Sequence, residues 1–333
     1  MHIKKQLGNL YRKHLSDKRR LQDYKKLKLI EDGVHKNYVH NKRNVEKNKN
    51  KYLIISGIGM EKIGLFCCMS AFIKWVEYAD ANGYLPVVDM QNVPSQYLDK
   101  GDIGKKNAWE FYYKPFFDSD DPLKEALESN AYRVVNRLDR PSWMSGSDFK
   151  KLLATDLSKD IFDSYFVLNS KAAEYINDNA KKLFSPTDKV LGVLCRGSDY
   201  VNMKPSGHAV QPTADQLIQK IHEVTEDYHC NKIYVATEDS NYLAALKKEF
   251  GTKLVYLDCL RVTTSKDELT SEAFDKKVVD RELNGLNYLA SISLLSMCDC
   301  IIAGRTQATR YIKMLRKKGD YEYYFEWNLG DFE

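Results

Sequence analysis

The sequence predicts an α/β protein with helix-connected parallel sheets in two successive halves, preceded by a basic helical arm. Three observations predict it. Short apolar runs alternate with amphipathic helical stretches from residue 51 to about residue 320. Glycine, acidic or arginine residues follow several of those runs, and the positive charge is concentrated in the first 50 residues. Alternation of this kind builds parallel sheets that carry ligand-binding loops at the carboxyl ends of their strands.

The arm comes first. Residues 1–50 hold 15 Lys+Arg against 5 Asp+Glu, whereas the rest of the chain holds 36 against 41. Leu7, Leu10, Tyr11, Leu15, Leu21, Tyr24, Leu27 and Ile30 recur at mostly helical spacing. An arm of this type packs on the body or on a second copy in a homo-oligomer, or makes peripheral contact with anionic membrane headgroups. Nucleic acid is not an expected partner, because the remaining chain is acidic and lacks a nucleic-acid-binding signature. MHIKKQLGNLYRKHL has no apolar core of a signal peptide, and no apolar run approaches a bilayer span, so a cytoplasmic location is expected. The 333 residues, 43% hydrophobic and 29% charged, suit about two folded domains and exclude disordered or collagen-like chains.

From Lys51 a βαβ unit is legible: a strand over Tyr52–Ile55, a glycine turn with Gly57, Gly59 and Gly64, a helix through LFCCMSAFIKWVEYADANG capped by Gly83, and a strand over Leu85–Val88 ending in Asp89. The glycine spacing is not G-x-G-x-x-G, so a dinucleotide is not expected. Residues 91–150 read as loop-rich and aromatic. Trp109, Tyr112, Tyr113 and Trp143 are either core or a stacking platform for a sugar ring.

The second half reads as strand KVLGVLC, a polar glycine-bearing loop, a helix capped by Thr213, strand NKIYVATED, helix SNYLAALKKEF, strand TKLVYLD, a long helix RELNGLNYLASISLLSMC, strand DCIIAG and a closing helix RTQATRYIKMLRKK. The seven cysteines, Cys67, Cys68, Cys195, Cys230, Cys259, Cys298 and Cys300, sit mostly in apolar runs and read as reduced core thiols. The Cys298–Cys300 pair lacks a second ligand cluster for zinc.

Arg196 and Asp199 follow the first strand of this half, Glu238 and Asp239 the second, and Arg305, Thr306, Gln307 and Thr309 the fourth. Such a set suits a nucleoside diphosphate: an arginine fork for phosphate oxygens, a carboxylate for base N–H groups, and a helix N-terminus for phosphate. No P-loop is present.

The segment VLCRGSDY resembles the H-x-R-R-x-D motif of the fucosyltransferases that use GDP-fucose, the α1,6 core enzymes and the rhizobial nodulation enzymes in particular. KIYVATEDSNYLAALKKEFG is similar to a second motif of that family and MCDCIIAGRTQATRYIKML to a third, while GIGMEKIGLFCCMSAFIKWVEYADANGYLPVVDMQN resembles its N-terminal glycine turn and helix. The resemblance spans residues 51–315 in order. It implies two Rossmann-like domains of the GT-B-like type after the 1–50 arm: an acceptor-side domain over 51–185 and a nucleotide-sugar domain over 186–333.

It also implies an inverting, metal-independent transfer of fucose from GDP-fucose to a glycan hydroxyl in surface polysaccharide assembly. GDP-fucose would be a donor substrate, with no separate cofactor. On this resemblance Arg196 holds the departing diphosphate, Asp239 reads guanine, and Thr306 and Gln307, flanked by Arg305 and Thr309, hold phosphate. Asp199 is the motif aspartate, either part of the chemistry or a brace of its loop.

The chain departs from the family where the motif histidine is Leu194, the second arginine is Gly197, and the proposed catalytic glutamate is Lys204. His208, in the same loop, is then the candidate base, since imidazole accepts protons near neutral pH. Glu61 is a weaker candidate. A transferase using another nucleotide sugar and a noncatalytic glycan- or nucleotide-binding protein are the alternatives.

Overall fold

The computed structural model describes residues 52–58, 62–129, 131–136, 140–141, 144–154, 156–197, 199–264, 268 and 270–333. The arm over 1–50, Glu61 and Trp143 lie outside them. The first half begins with β1 (Tyr52–Ser56), α1 (Leu65–Ala81) and β2 (Leu85–Asp89), then α2 (Pro122–Ser129), β3 (Tyr132–Val135), α3 (Gly146–Ala154), α4 (Lys159–Tyr165) and α5 (Ser170–Leu183). Its sheet is parallel and three-stranded, in the order β2-β1-β3. This is smaller than the doubly wound sheet expected. After β2 and β3 the chain spends its apolar residues on short helices and buried aromatic loops instead of further strands.

The second half comprises β4 (Val190–Leu194), α6 (Asp199–Asn202), α7 (Ala214–Asp227), β5 (Lys232–Ala236), α8 (Ser240–Phe250), β6 (Leu254–Val255), α9 (Thr270–Asp275), α10 (Arg281–Ser293), β7 (Cys300–Ala303), α11 (Gln307–Leu315) and β8 (Tyr323–Glu326). Its five strands are all parallel, in the order β6-β5-β4-β7-β8. The chain winds outward from β4 in one direction and then returns to its other side, so the topological switch lies between β4 and β7. In open α/β sheets that crevice is where ligands bind. β4 and β7 are fully buried apolar runs, as a strand covered on both faces requires.

Local chemistry explains the helix starts. Thr213 and Gln216 form a reciprocal capping box on α7, and Thr306 Oγ1 accepts from Thr309 N at the start of α11. Gly83, at φ +66°, takes the left-handed turn that ends α1.

One apolar core runs through both halves. It joins Leu53, Phe72 and Trp75 of the first to Leu194, Tyr234, Ile301 and Ile312 of the second. α1 and α11 meet directly: the Phe66 and Tyr311 rings lie 4.5 Å apart, and Ser70 Oγ donates to Gln307 Oε1 at 2.9 Å. Trp109, Tyr112 and Tyr113 belong to this core and not to a sugar platform. Trp109 is 2% exposed, stacks on Tyr113 at 4.3 Å and meets Phe72 edge-on at 5.6 Å. All seven cysteines are free thiols, and Cys68, Cys195, Cys230, Cys298 and Cys300 are buried. No helix among the described residues is long and apolar enough to cross a membrane.

Candidate active site

Strand register brings the site together. Leu194, the last residue of β4, pairs with Ala236 of β5 on one side and Ala303 of β7 on the other. Three strands therefore end level, and the residues two positions on, Arg196, Glu238 and Arg305, emerge side by side. They line a cleft of about 670 Å³ between the two halves, whose opposite wall includes Lys62, Gly64, Phe66 and Gln96.

Arg196 is held on two sides. Its guanidinium pairs with the Glu238 carboxylate and lies over the Tyr200 ring, 5.1 Å from the centroid. Tyr200 in turn contacts His208 edge-on, with 3.0 Å between its hydroxyl and His208 Nδ1. In the tautomer that donates from Nδ1 to Tyr200, Nε2 keeps its lone pair for a proton. Arg305 pairs with Asp331 and donates to the Gly330 carbonyl at 3.3 Å. Asp331 belongs to a segment laid antiparallel along the His208 loop. Gly207 N donates to Phe332 O at 2.8 Å, and Phe332 N donates to His208 O at 2.9 Å.

At the start of α11, Thr306 and Gln307 line the cleft, and the first amides of that helix carry its positive dipole end. Thr309 points inward: it is fully buried, and its hydroxyl donates to Gly304 O at 2.5 Å. Thr309 thus shapes the turn and leaves ligand contact to its neighbours. Gln211 joins the His208 and Arg305 loops, donating to the carbonyls of Ala209 and Arg305 at 3.1 and 3.2 Å. It passes so close to Gly304 that a Cβ there would lie 2.0 Å from its Oε1.

The structure places Asp239 outside the cleft lining. It is 4% exposed and caps α8, its Oδ1 accepting from Asn241 N at 2.7 Å and Tyr242 N at 3.1 Å. Of these two neighbours it is Glu238 that faces the cleft. Gly197 leaves no room for a side chain, because a Cβ at this position would stand 2.4 Å from Asp239 Oδ2. Asp199 opens α6, and its side chain lies outside the described residues. Lys204 is exposed, with φ +46°.

Burial raises the Cys195 thiol to about 12, so it is a packing group although it borders the cleft. Burial also raises Tyr97 well above its ordinary value, and its hydroxyl accepts from Leu65 N at 2.6 Å, bracing the start of α1. Sequence reasoning did not find Tyr200, Gln211, Asp331 or Arg310, which lines the cleft one turn after Gln307. Only the helical spacing of Arg310 from Thr306 and Gln307 signalled its place. No group of three or more His, Cys, Asp or Glu among the described residues could hold a metal ion.

No family model and no curated protein matches the chain. Solved structures of fucosyltransferases are similar to it. NodZ alpha-1,6-fucosyltransferase co-crystallized with GDP is 14% identical, with a TM-score of 0.49 over 80% of this chain and 93% of that one. Fucosyltransferase NodZ from Bradyrhizobium is 13% identical, with a TM-score of 0.47 over 80% and 94%. POFUT1 in complex with GDP-fucose is 10% identical, with a TM-score of 0.43 over 84% and 99%.

Proposed function

We propose that the chain is a glycosyltransferase that moves fucose from GDP-fucose to a glycan hydroxyl, with inversion and without a metal. The observation that carries this reading is the level ending of β4, β5 and β7 at the topological switch, which assembles Arg196, Arg305 and the α11 N-terminus on one cleft wall. Two guanidinium groups and a helix dipole are what a departing diphosphate needs, since they stabilise charge that grows as the glycosidic bond breaks. The nucleotide lies across the switch with its base toward Thr237 and Leu260, at the β5–β6 side of the cleft. His208, oriented by Tyr200, takes the proton of the attacking hydroxyl at Nε2 while that oxygen bonds to the anomeric carbon and GDP leaves.

Residues 51–185 form the acceptor-side domain and 186–333 the donor domain in this proposal. The basic segment over 1–50 carries peripheral contact with anionic membrane on the cytosolic side, where surface polysaccharide is assembled. Titration with GDP, UDP and ADP, followed by a donor screen for sugar release, tests the reading. GDP should bind tightest and GDP-fucose should turn over. Equal affinity for the three nucleotides would refute the donor, and GDP binding without turnover of any donor would favour a noncatalytic binding protein.

A further inference from the structure

We propose that the cleft holds a second subsite, formed by α10 and α9 of the donor half and the loop after β2 of the acceptor-side half, that takes an uncharged hydroxylated ring; in the reading above, on which this inference rests, that ring is the acceptor sugar, to which both halves then contribute. The cleft is chemically divided. Its charged groups cluster around the ends of β4, β5 and β7 and the start of α11, as described. Apart from Lys62, the remainder is lined by apolar side chains such as Phe66 and Phe274 and by neutral amides and hydroxyls, among them Gln96, Ser271, Asn284, Asn287 and Tyr288.

Three of these come from one helix face. Asn284, Asn287 and Tyr288 stand at i, i+3 and i+4 on α10, so they project in the same direction. Asn287 is already oriented, because Tyr175 donates to its Oδ1 at 2.5 Å. Its Nδ2 is therefore the group left to donate. Gln96, Ser271 and Asn284 are half-buried, and no side-chain hydrogen bond engages them among the described residues. Half-exposed amides and a hydroxyl with no protein partner are free to exchange water for the hydroxyls of a ligand.

The chemistry selects the ligand class. Amides and hydroxyls both donate and accept, as sugar hydroxyls do, and they offer no countercharge to a phosphate or carboxylate. The cation on this side, Lys62, pairs with Glu272 at 3.1 Å, and one half-exposed lysine is a weaker countercharge than the two guanidinium groups of the other wall. The Tyr288 ring, packed against Phe66 at 4.9 Å, supplies the flat apolar surface that the first-half aromatics cannot.

Saturation-transfer NMR with lactose, cellobiose and maltose, and with glucuronic acid for comparison, tests the subsite on the full chain without nucleotide. The neutral disaccharides should give signals, weakened about fivefold by Asn284→Ala or Gln96→Ala, the worth of about one hydrogen bond. Arg196→Lys should leave those signals unchanged, and glucuronic acid should bind more weakly. Circular dichroism establishes that both alanine variants are folded. The subsite is overturned if no neutral disaccharide binds, if glucuronic acid binds best, or if neither alanine substitution weakens the signals. GDP affinity is measured separately, so sugar binding without GDP preference would sink the donor assignment and leave this subsite standing.

Discussion

Gly197→Ala isolates a close approach that supports the proposed diphosphate wall. The new methyl would sit 2.4 Å from Asp239 Oδ2, 2.8 Å from Asp239 Cγ and 2.8 Å from Tyr242 Cδ2. Ordinary contact needs about 3.4 Å or more, so the carboxylate must retreat by roughly 1 Å, in a packed interior that resists such shifts. That retreat stretches the two amide bonds by which Asp239 caps α8. Losing a cap costs about 1 kcal/mol and overpacking about 1–3 kcal/mol, which together give a destabilisation of about 2–4 kcal/mol. Urea unfolding followed by circular dichroism measures it. Because Gly197 directly follows Arg196, GDP affinity should fall as well, by about tenfold if Arg196 loses one charge-assisted hydrogen bond. A variant with urea midpoint and m-value unchanged, and with wild-type GDP affinity, would show that Asp239 moves freely and that the glycine answers no steric demand.

Arg196→Lys should lower GDP affinity and turnover about 10- to 100-fold, because a point charge cannot replace a planar fork; calorimetry and a donor-hydrolysis assay check this. Asp239→Ala should cost about 1–2 kcal/mol of stability through loss of the α8 cap, read in urea melts, and unaltered stability with abolished GDP binding would return Asp239 to base recognition. Trp109→Ala should cost about 3–5 kcal/mol as a core cavity, a value that an exposed stacking platform would not show. Cys195, raised to about 12, stays protonated at pH 8.5, so iodoacetamide should label half-exposed Cys67 in the folded protein and leave Cys195 unmodified by mass spectrometry.

The strand ends were legible because buried parallel strands write themselves as short apolar runs, and Arg196, Thr306 and Gln307 stand just beyond two of them. The α7 cap was legible in Thr213 for a similar local reason. Asp239 shows the limit: an aspartate before Ser-Asn and a helix is the signature of an N-cap as much as of a ligand contact, and the two backbone N–H groups it caps are seen only in the structure. Trp109, Tyr112 and Tyr113 stand at i, i+3 and i+4, a spacing that puts them on one side of a turn but does not say whether that side meets the core or a ligand. Asp331 lies 26 residues from Arg305 and Tyr175 lies 112 from Asn287; pairings at that range leave no local trace. β3 and β8 have half-buried, polar-interrupted patterns typical of sheet edges, which blurred their signal.

The contact between α1 and α11 has a bearing on protein engineering. Tyr311 and Gln307, on the helix that begins at the proposed phosphate wall, are seated by Phe66 and Ser70 of the other half. A chimera that exchanges one half for that of a distant homologue would place unmatched side chains at this seam and tilt the helix start assigned above to the donor. Recombination of the two halves should therefore succeed only when α1 and α11 travel together, as an inherited pair that no cut between the sheets respects.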